Sequence, residues 1–301
     1  MKKWIALLLP LFAFAAEPPK EEKKFNYWDA HPVHIGGQGL YIGSATASHV
    51  RGGGVNVPHG HVRFNKSNAF LSVLVPFSED TFFFPRVEYN YITFDWSSNP
   101  FFNQTHFQYL QFGITAYTKA LEQWRWIAKF DYNIDPTHFD TPGPYSLYSW
   151  LLWGAHEINK QWHFHIGTVG SRGMRRTDFY PLLGIDYQPT QHWLLEAIFP
   201  INYAASYKPD NHWTLALKVR PLKERVRAGE DEPQPRSVVR YSSMGSELSI
   251  QYEIPLRLKV EVYGGLNTGG TFYIKNIHVD NALYADTGIA PYAGANLDFG
   301  F

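Results

Sequence analysis

None of the 301 residues is a cysteine. Disulfide frameworks, thiolate nucleophiles and Cys-built zinc sites are therefore excluded. Net charge is missing too, since 27 Lys and Arg balance 27 Asp and Glu. A nucleic-acid binder carries a basic stripe, so no nucleic-acid partner is expected. Long apolar runs are scarce: past the N-terminus nothing approaches the about 20 residues of a spanning helix. No stretch shows helical periodicity, and no domain boundary is visible between Gly36 and Phe301. Gly36-Gly37-Gln38-Gly39 and Gly52-Gly53-Gly54 lack the Lys-Ser/Thr of a phosphate loop and read as strand bends. No cofactor is expected.

Aromatic residues, by contrast, are abundant, at 17% against 18% charged. They fall in a pattern. From Phe179 to Pro221 the odd positions are almost all apolar or aromatic, and the even positions include Asp186, Glu196, Lys218 and Arg220. A period of two means a β-strand with one apolar face. The same alternation covers Ala69–Phe77, Phe82–Trp96, His106–Lys119, Trp124–Ile134, Ser246–Ile254, Arg257–Leu266 and Gly288–Phe301, and more weakly Gly36–Ser48 and Val55–Arg63. It places Arg86, Glu88, Arg125, Lys129, Asp131, Glu253, Lys259 and Glu261 on the non-apolar face. After Ile92 the alternation falters, which suggests a bulge.

Turns recur. Gln123-Trp124, Gln161-Trp162, His192-Trp193 and His212-Trp213 each start a strand with Trp, and Tyr187 and Tyr207 end the strands before two of these turns. Aromatics at strand ends with an apolar face between them are what a membrane-spanning strand needs. Trp124, Trp162, Tyr187, Trp193, Tyr207 and Trp213 are thus expected to form a girdle at a membrane interface. The expected fold is all-β: a transmembrane antiparallel up-and-down barrel of 12–14 strands. Lys223–Arg236 and Asn267–Thr287 read as long loops. One conflict stands out. With 14 strands and the last strand ending inside the periplasm, the short turns at Gln123, Gln161 and His192 fall outside, against the usual rule. A miscounted strand at Pro200 would resolve it, because proline removes a ladder hydrogen bond.

The N-terminus carries Lys2 and Lys3, an apolar run Trp4–Phe14, and Ala13-Phe14-Ala15. Residues 1–16 are expected to be a secretory signal, residues 17–35 a periplasmic tail, and 36–301 the barrel. Asn296-Leu297-Asp298-Phe299-Gly300-Phe301 resembles the C-terminal targeting signal of bacterial outer-membrane β-barrels, with a terminal aromatic and apolar residues at alternate positions. The resemblance implies location in the outer membrane of a diderm bacterium, partnership with the bilayer and the barrel-assembly machinery, and an assembly signal at Leu297, Phe299 and Phe301. In such a barrel the charged face lines a lumen. The leading functional expectation is passive passage of small solutes. The alternative is a closed structural or surface-interaction barrel, and a lipid-modifying enzyme comes third.

Signals for chemistry are sparse. No Gly-x-Ser-x-Gly elbow is present, and His61-Val-Arg-Phe-Asn-Lys-Ser67 does not match the His-x-Ser-Asn-Gly pattern of outer-membrane phospholipases. No catalytic residue is assigned. If Glu157 pairs with Trp162, then His156 faces His163 with His165 two residues along the same inward face, three imidazoles of the kind that bind a metal. A set of lumen histidines is the simpler expectation, and no metal is assigned.

Overall fold

The computed structural model describes residues 31–51, 60–97, 99, 101–254, 257–275 and 282–301. The expected signal segment, the tail up to residue 30 and the Gly52–Gly54 run lie outside the described residues. Strands follow one another as β1 (Val33–Arg51), β2 (Gly60–Val73), β3 (Val75–Ser78), β4 (Thr81–Trp96), β5 (His106–Thr118) and β6 (Trp124–Ile134). After a single helical turn α1 (Pro142–Tyr145) come β7 (Ser146–Asn159), β8 (Trp162–Gly173), β9 (Arg176–Thr190), β10 (Trp193–Phe199), β11 (Asn202–Tyr207) and β12 (Trp213–Arg227). β13 (Val238–Ile254), β14 (Leu258–Lys275), β15 (Leu283–Thr287) and β16 (Ala290–Gly300) complete the wall.

Each strand pairs antiparallel with its neighbour, and β1 closes on β16 from His34↔Gly300 to Ile42↔Tyr292. The pairs β2/β3 and β15/β16 each fill one position in the wall, leaving a closed barrel of 14 strands. Closure of β1 on β16 leaves neither end of the strand order with a free edge, which lipid would not tolerate.

The count of 14 agrees with the upper expectation, but two errors cancel within it. The described end of Val55–Arg63 and the start of Ala69–Phe77 are not separate strands, because residues 60–73 form the single strand β2, while residues 55–59 lie outside the described residues. Trp193–Tyr207 is not one strand either: it is the hairpin β10–β11, turning at Pro200-Ile201, with Ile201 N donating to Ile198 O at 2.9 Å. The register Ile198↔Asn202 keeps odd residues on one face through the turn. Alternation therefore runs on unbroken, and only the proline marks the break. With both corrections the short turns at Gln123, Gln161 and His192 share an end with Val33 and Phe301, and the conflict disappears. We call this the terminal end and the opposite one the loop end.

Both expected loops begin as strand. β12 runs to Arg227 and β14 to Lys275, so Lys223–Arg227, Asn267 and Gly270–Lys275 are paired wall residues. Nor does β4 bulge after Ile92: its pairing with β2 continues in register to Val62↔Trp96.

The recurrent Trp has a local cause. Asn159 Oδ1 accepts from the backbone N–H groups of Gln161 and Trp162 at 2.9 and 3.0 Å. Asp210 Oδ1 does the same for His212 and Trp213 at 2.7 and 2.9 Å, and Thr190 Oγ1 for His192 and Trp193 at 3.2 Å each. One short polar side chain thus caps the turn and launches the next strand. These two N–H bonds hold the Asp210 carboxyl below the usual carboxylate range. Above the caps, aromatics stack outward in pairs: Trp162 on Tyr187 with centroids 4.1 Å apart, Trp193 on Tyr207 at 5.0 Å, and Trp213 on Tyr252 at 4.9 Å. Trp124 stacks on Trp126 at 5.3 Å in the same row.

Candidate functional site

The alternation divides the wall into two faces of opposite chemistry. Outward stand Val87, Ile114, Phe130, Leu183, Leu217, Leu248 and Leu297, all exposed. Leu248 keeps 69% of its surface accessible, so this is a face that no other described residue covers. Inward stand the charges, and almost all are matched. Arg86 meets Glu88 at 2.5 Å, and Asn68 donates to the same carboxylate at 2.7 Å. Lys129 meets Asp131 at 3.0 Å, with Gln111 donating to Asp131 at 3.0 Å. Arg220 meets Glu247 at 2.6 Å while Tyr292 donates to it at 2.8 Å. Lys218 pairs with Glu261, which also accepts from Asn296 at 2.6 Å. Pairing of this kind offsets the desolvation cost of each buried charge.

The remaining charges of the inward face lie nearer the terminal end. Arg125 and Asp186 line one cavity of about 460 Å³ with Glu157 and His163. Glu196 and Lys218 line a second of about 380 Å³. Glu253 accepts from Gln251 at 2.8 Å, and Lys259 stands opposite it in register. A third cavity, of about 650 Å³, holds Arg86, Glu88 and Lys129.

The histidine cluster does not form as the sequence suggested. A register shift between Glu157 and Asn159 pairs Trp162 with Asn159 and His163 with Glu157. His156 therefore pairs with Phe164 and turns outward, where Trp124 packs on it at 4.7 Å. His165 is buried inside: Trp153 Nε1 donates to its Nδ1 at 2.8 Å, and its Nε2 lies 2.8 Å from Asp186 Oδ2.

Toward the loop end the inward face itself becomes apolar. Phe64, Phe94, Phe107, Val239, Tyr241 and Phe272 continue the inward rows of their strands and meet in one buried cluster. Phe272 packs against Phe94, Trp96 and Tyr241 with centroids 5.3, 5.2 and 4.8 Å away. Phe101 and Phe102, from the β4–β5 loop, bury their rings on top at 1% and 2% exposure. That loop latches onto the β12–β13 loop, with Gln234 N donating to Phe101 O at 3.2 Å and Gly229 N to Gln104 Oε1 at 3.0 Å. The lumen is thus stoppered at the loop end by aromatics and stays hollow and charged below. The faltering alternation after Ile92 was the signal of this plug: Ile92, Phe94 and Trp96 are inward residues that have turned apolar.

Lys66 and Glu224 were outside the sequence-based list, yet they reach each other at 2.7 Å from β2 and β12. So were Asp178, Arg225 and Arg240, which meet beside the short β10–β11 hairpin. Their positions depend on which strands face each other across the lumen, a long-range property that no local pattern records.

No family model matches the chain. An uncharacterized protein of Chlamydia trachomatis serovar D is 21% identical over 260 residues, covering 81% of this chain and 82% of its own length. An uncharacterized protein of Chlamydia muridarum is 24% identical over 202 residues, covering 66% of this chain and 63% of its own. Among solved structures, an outer membrane channel from Pseudomonas putida F1 aligns with a TM-score of 0.49 at 7% identity, over 95% of this chain and 100% of that one. The translocator domain of the autotransporter NalP from Neisseria meningitidis aligns with a TM-score of 0.40 at 12% identity, over 91% and 90%.

Proposed function

We propose that the chain spans a bacterial outer membrane and passes small solutes through its lumen, with the aromatic plug as the gate. The observation that carries this reading is the hollow, charged interior within a wall whose outer face is apolar and uncovered. A charge on the lipid face of a barrel costs about 2–4 kcal/mol at midplane, and the ion pairs Arg86–Glu88, Lys129–Asp131, Lys218–Glu261 and Arg220–Glu247 stand inside. From Trp213 to Lys223, at about 3.3 Å per residue and about 40° of tilt, β12 climbs about 25 Å, the height of a membrane-spanning apolar band. The stacked Trp and Tyr pairs then lie at the inner interface, and the plug stands at or above the outer one. On this reading residues 1–16 direct secretion, and Leu297, Phe299 and Phe301 present the last strand to the barrel-assembly machinery.

The plug is built from side chains and loops, so it can open without breaking a wall hydrogen bond. Planar-bilayer conductance of the purified protein tests the gate. Rare, brief openings that become frequent when the plug rings are removed support it. A second reading, a closed barrel that works through its outer loops, draws support from the near-complete burial of Phe101 and Phe102. Silence in the bilayer with and without the plug would favour that reading.

A further inference from the structure

The barrel wall has a gap. β9 and β12 each hold 15 residues, but the hairpin between them is much shorter, with 7 in β10 and 6 in β11. Pairing of β9 with β10 stops at Leu183↔Phe199, and pairing of β11 with β12 stops at Tyr203↔Val219. Toward the loop end from there, β9 and β12 face each other with no ladder between them. At the level of the hairpin they stand three strand spacings apart, about 14 Å. An unpaired sheet edge in lipid must be covered or occupied.

Side chains bridge the seam. Arg225 pairs with Asp178 and donates to the carbonyl oxygens of Gly173 and Arg176 at 3.1 and 3.3 Å. Lys223 Nζ lies 4.3 Å from the centre of the Tyr180 ring. Arg240 reaches to within 3.7 Å of Asp178.

The cavity of about 650 Å³ extends into this seam, and its lining mixes the two faces of the wall. By the strand period, Pro221, Lys223 and Arg225 share the outward row of Leu215 and Leu217. Yet they line the same space as the inward residues Lys66 and Glu88. Inward-row and outward-row residues thus border one space at the seam. The charge is also unbalanced. Arg86–Glu88 and Lys129–Asp131 cancel, while Lys66, Lys223, Arg225 and Arg240 stand against Glu224 and Asp178, the latter shared with Arg176 at 2.8 Å, which leaves at least two positive charges in excess. Outside the seam, Phe179 and Phe199 are exposed at 61% and 48% and form an apolar approach.

We propose that this seam is a lateral binding site that takes a single-chain amphipathic organic anion from the surrounding bilayer. The anionic head sits in the cavity against Lys223, Arg225 and Arg240. The chain leaves between β9 and β12 along Phe179 and Phe199. The proposal rests on the membrane placement of the solute-passage reading, but not on the plug being a gate.

The test uses the full chain in phosphatidylcholine vesicles with dodecanoic acid carrying a photoreactive group in mid-chain. Cross-links are expected at residues 179–183 and 221–223. The methyl ester of the same probe should bind about tenfold more weakly, because it forms no charge-assisted hydrogen bond. Lys223→Gln with Arg240→Gln should weaken the acid by about the same factor and leave the ester unchanged. Should that variant fail to insert, the acid-to-ester comparison on the unaltered protein decides the matter. Cross-links spread evenly around the apolar belt, or equal binding of acid and ester, would overturn the proposal. Displacement of the probe by millimolar inorganic phosphate would also overturn it, since it would mean a site for soluble anions fed through the lumen. Conductance of the same preparations separates the two readings: a protein that conducts once unplugged but shows no seam cross-links keeps the channel and loses this site.

Discussion

Removing the two loop rings that cap the plug should convert a mostly closed barrel into a frequently open one. Phe101 and Phe102 are almost fully buried, and they pack on Trp96 and Phe107 with centroids 6.1 Å away in each case. Replacing a buried Phe by Ala costs about 3–5 kcal/mol. The two sites are adjacent, so their costs do not add, and about 3 kcal/mol is a floor for the pair. Against this stand the contacts that hold the loop by other means: Gln234 N to Phe101 O, Gly229 N to Gln104 Oε1, and Asn103 N to the Glu232 carboxylate. These survive the substitutions, but each is worth only about 1 kcal/mol net and competes with water. The closed-to-open balance in Phe101→Ala/Phe102→Ala should therefore shift by about hundredfold. The assay is single-channel recording in a planar bilayer, with heat-modified gel migration as the check that the barrel is folded. A folded double variant with unchanged open probability would refute the reasoning: the strand-borne rings Phe94 and Phe272 would then close the lumen alone, and the loop would be a bystander.

Other expectations follow from the same geometry. Glu247→Leu leaves the half-buried Arg220 and the buried Tyr292 hydroxyl without their shared acceptor, so it should cost less than the about 3–5 kcal/mol of a fully buried pair but still lower the temperature of heat-modified migration, whereas Glu253→Gln near the mouth should change it little. In the plug-opened protein, Arg125→Glu with Lys129→Glu should move the reversal potential toward cations, because lumen charge sets selectivity; an unmoved potential would place the ion path elsewhere. The Asp210 cap is at full strength above the ordinary carboxylate range and is lost as pH falls through its lowered pKa. Amide exchange at His212 and Trp213 should therefore differ between wild type and Asp210→Ala at neutral pH and converge in acid. Phe301→Ser should lower the amount of protein in the outer membrane while the inserted fraction keeps its heat resistance; unchanged yield would remove the assembly role of that aromatic.

The wall was legible in the sequence because strand alternation is local. Phe130 and Lys129 announce their faces within three residues, and the Asn159, Thr190 and Asp210 caps announce their turns within four. What stayed hidden depended on contacts across the barrel. The plug could not be seen, because an inward Phe94 looks like a slipped strand until Phe272 is known to lie beside it. The hairpin at Pro200 was masked by its own register, which carries odd residues through the turn onto the same face. The His156 cluster failed by one residue of register, and a one-residue slip exchanges the two faces of a strand. The seam between β9 and β12 shows only when strand lengths are compared around the closed wall. Neither Arg225 nor Asp178 has a neighbour in sequence that points to the other.

The central claim is that charge faces a lumen and apolar side chains face lipid. Because the chain has no cysteine, single cysteines report cleanly. They can be placed at Lys129, Asp131, Glu196 and Lys218 and, separately, at Phe130, Phe199 and Leu217, then probed in vesicles with a water-soluble thiol reagent and with a lipid-soluble one. The account predicts aqueous labelling, slowed by the closed plug, at the first four and labelling only from lipid at the other three. Aqueous labelling at Phe199 and Leu217 with none at Lys129 and Lys218 would contradict it.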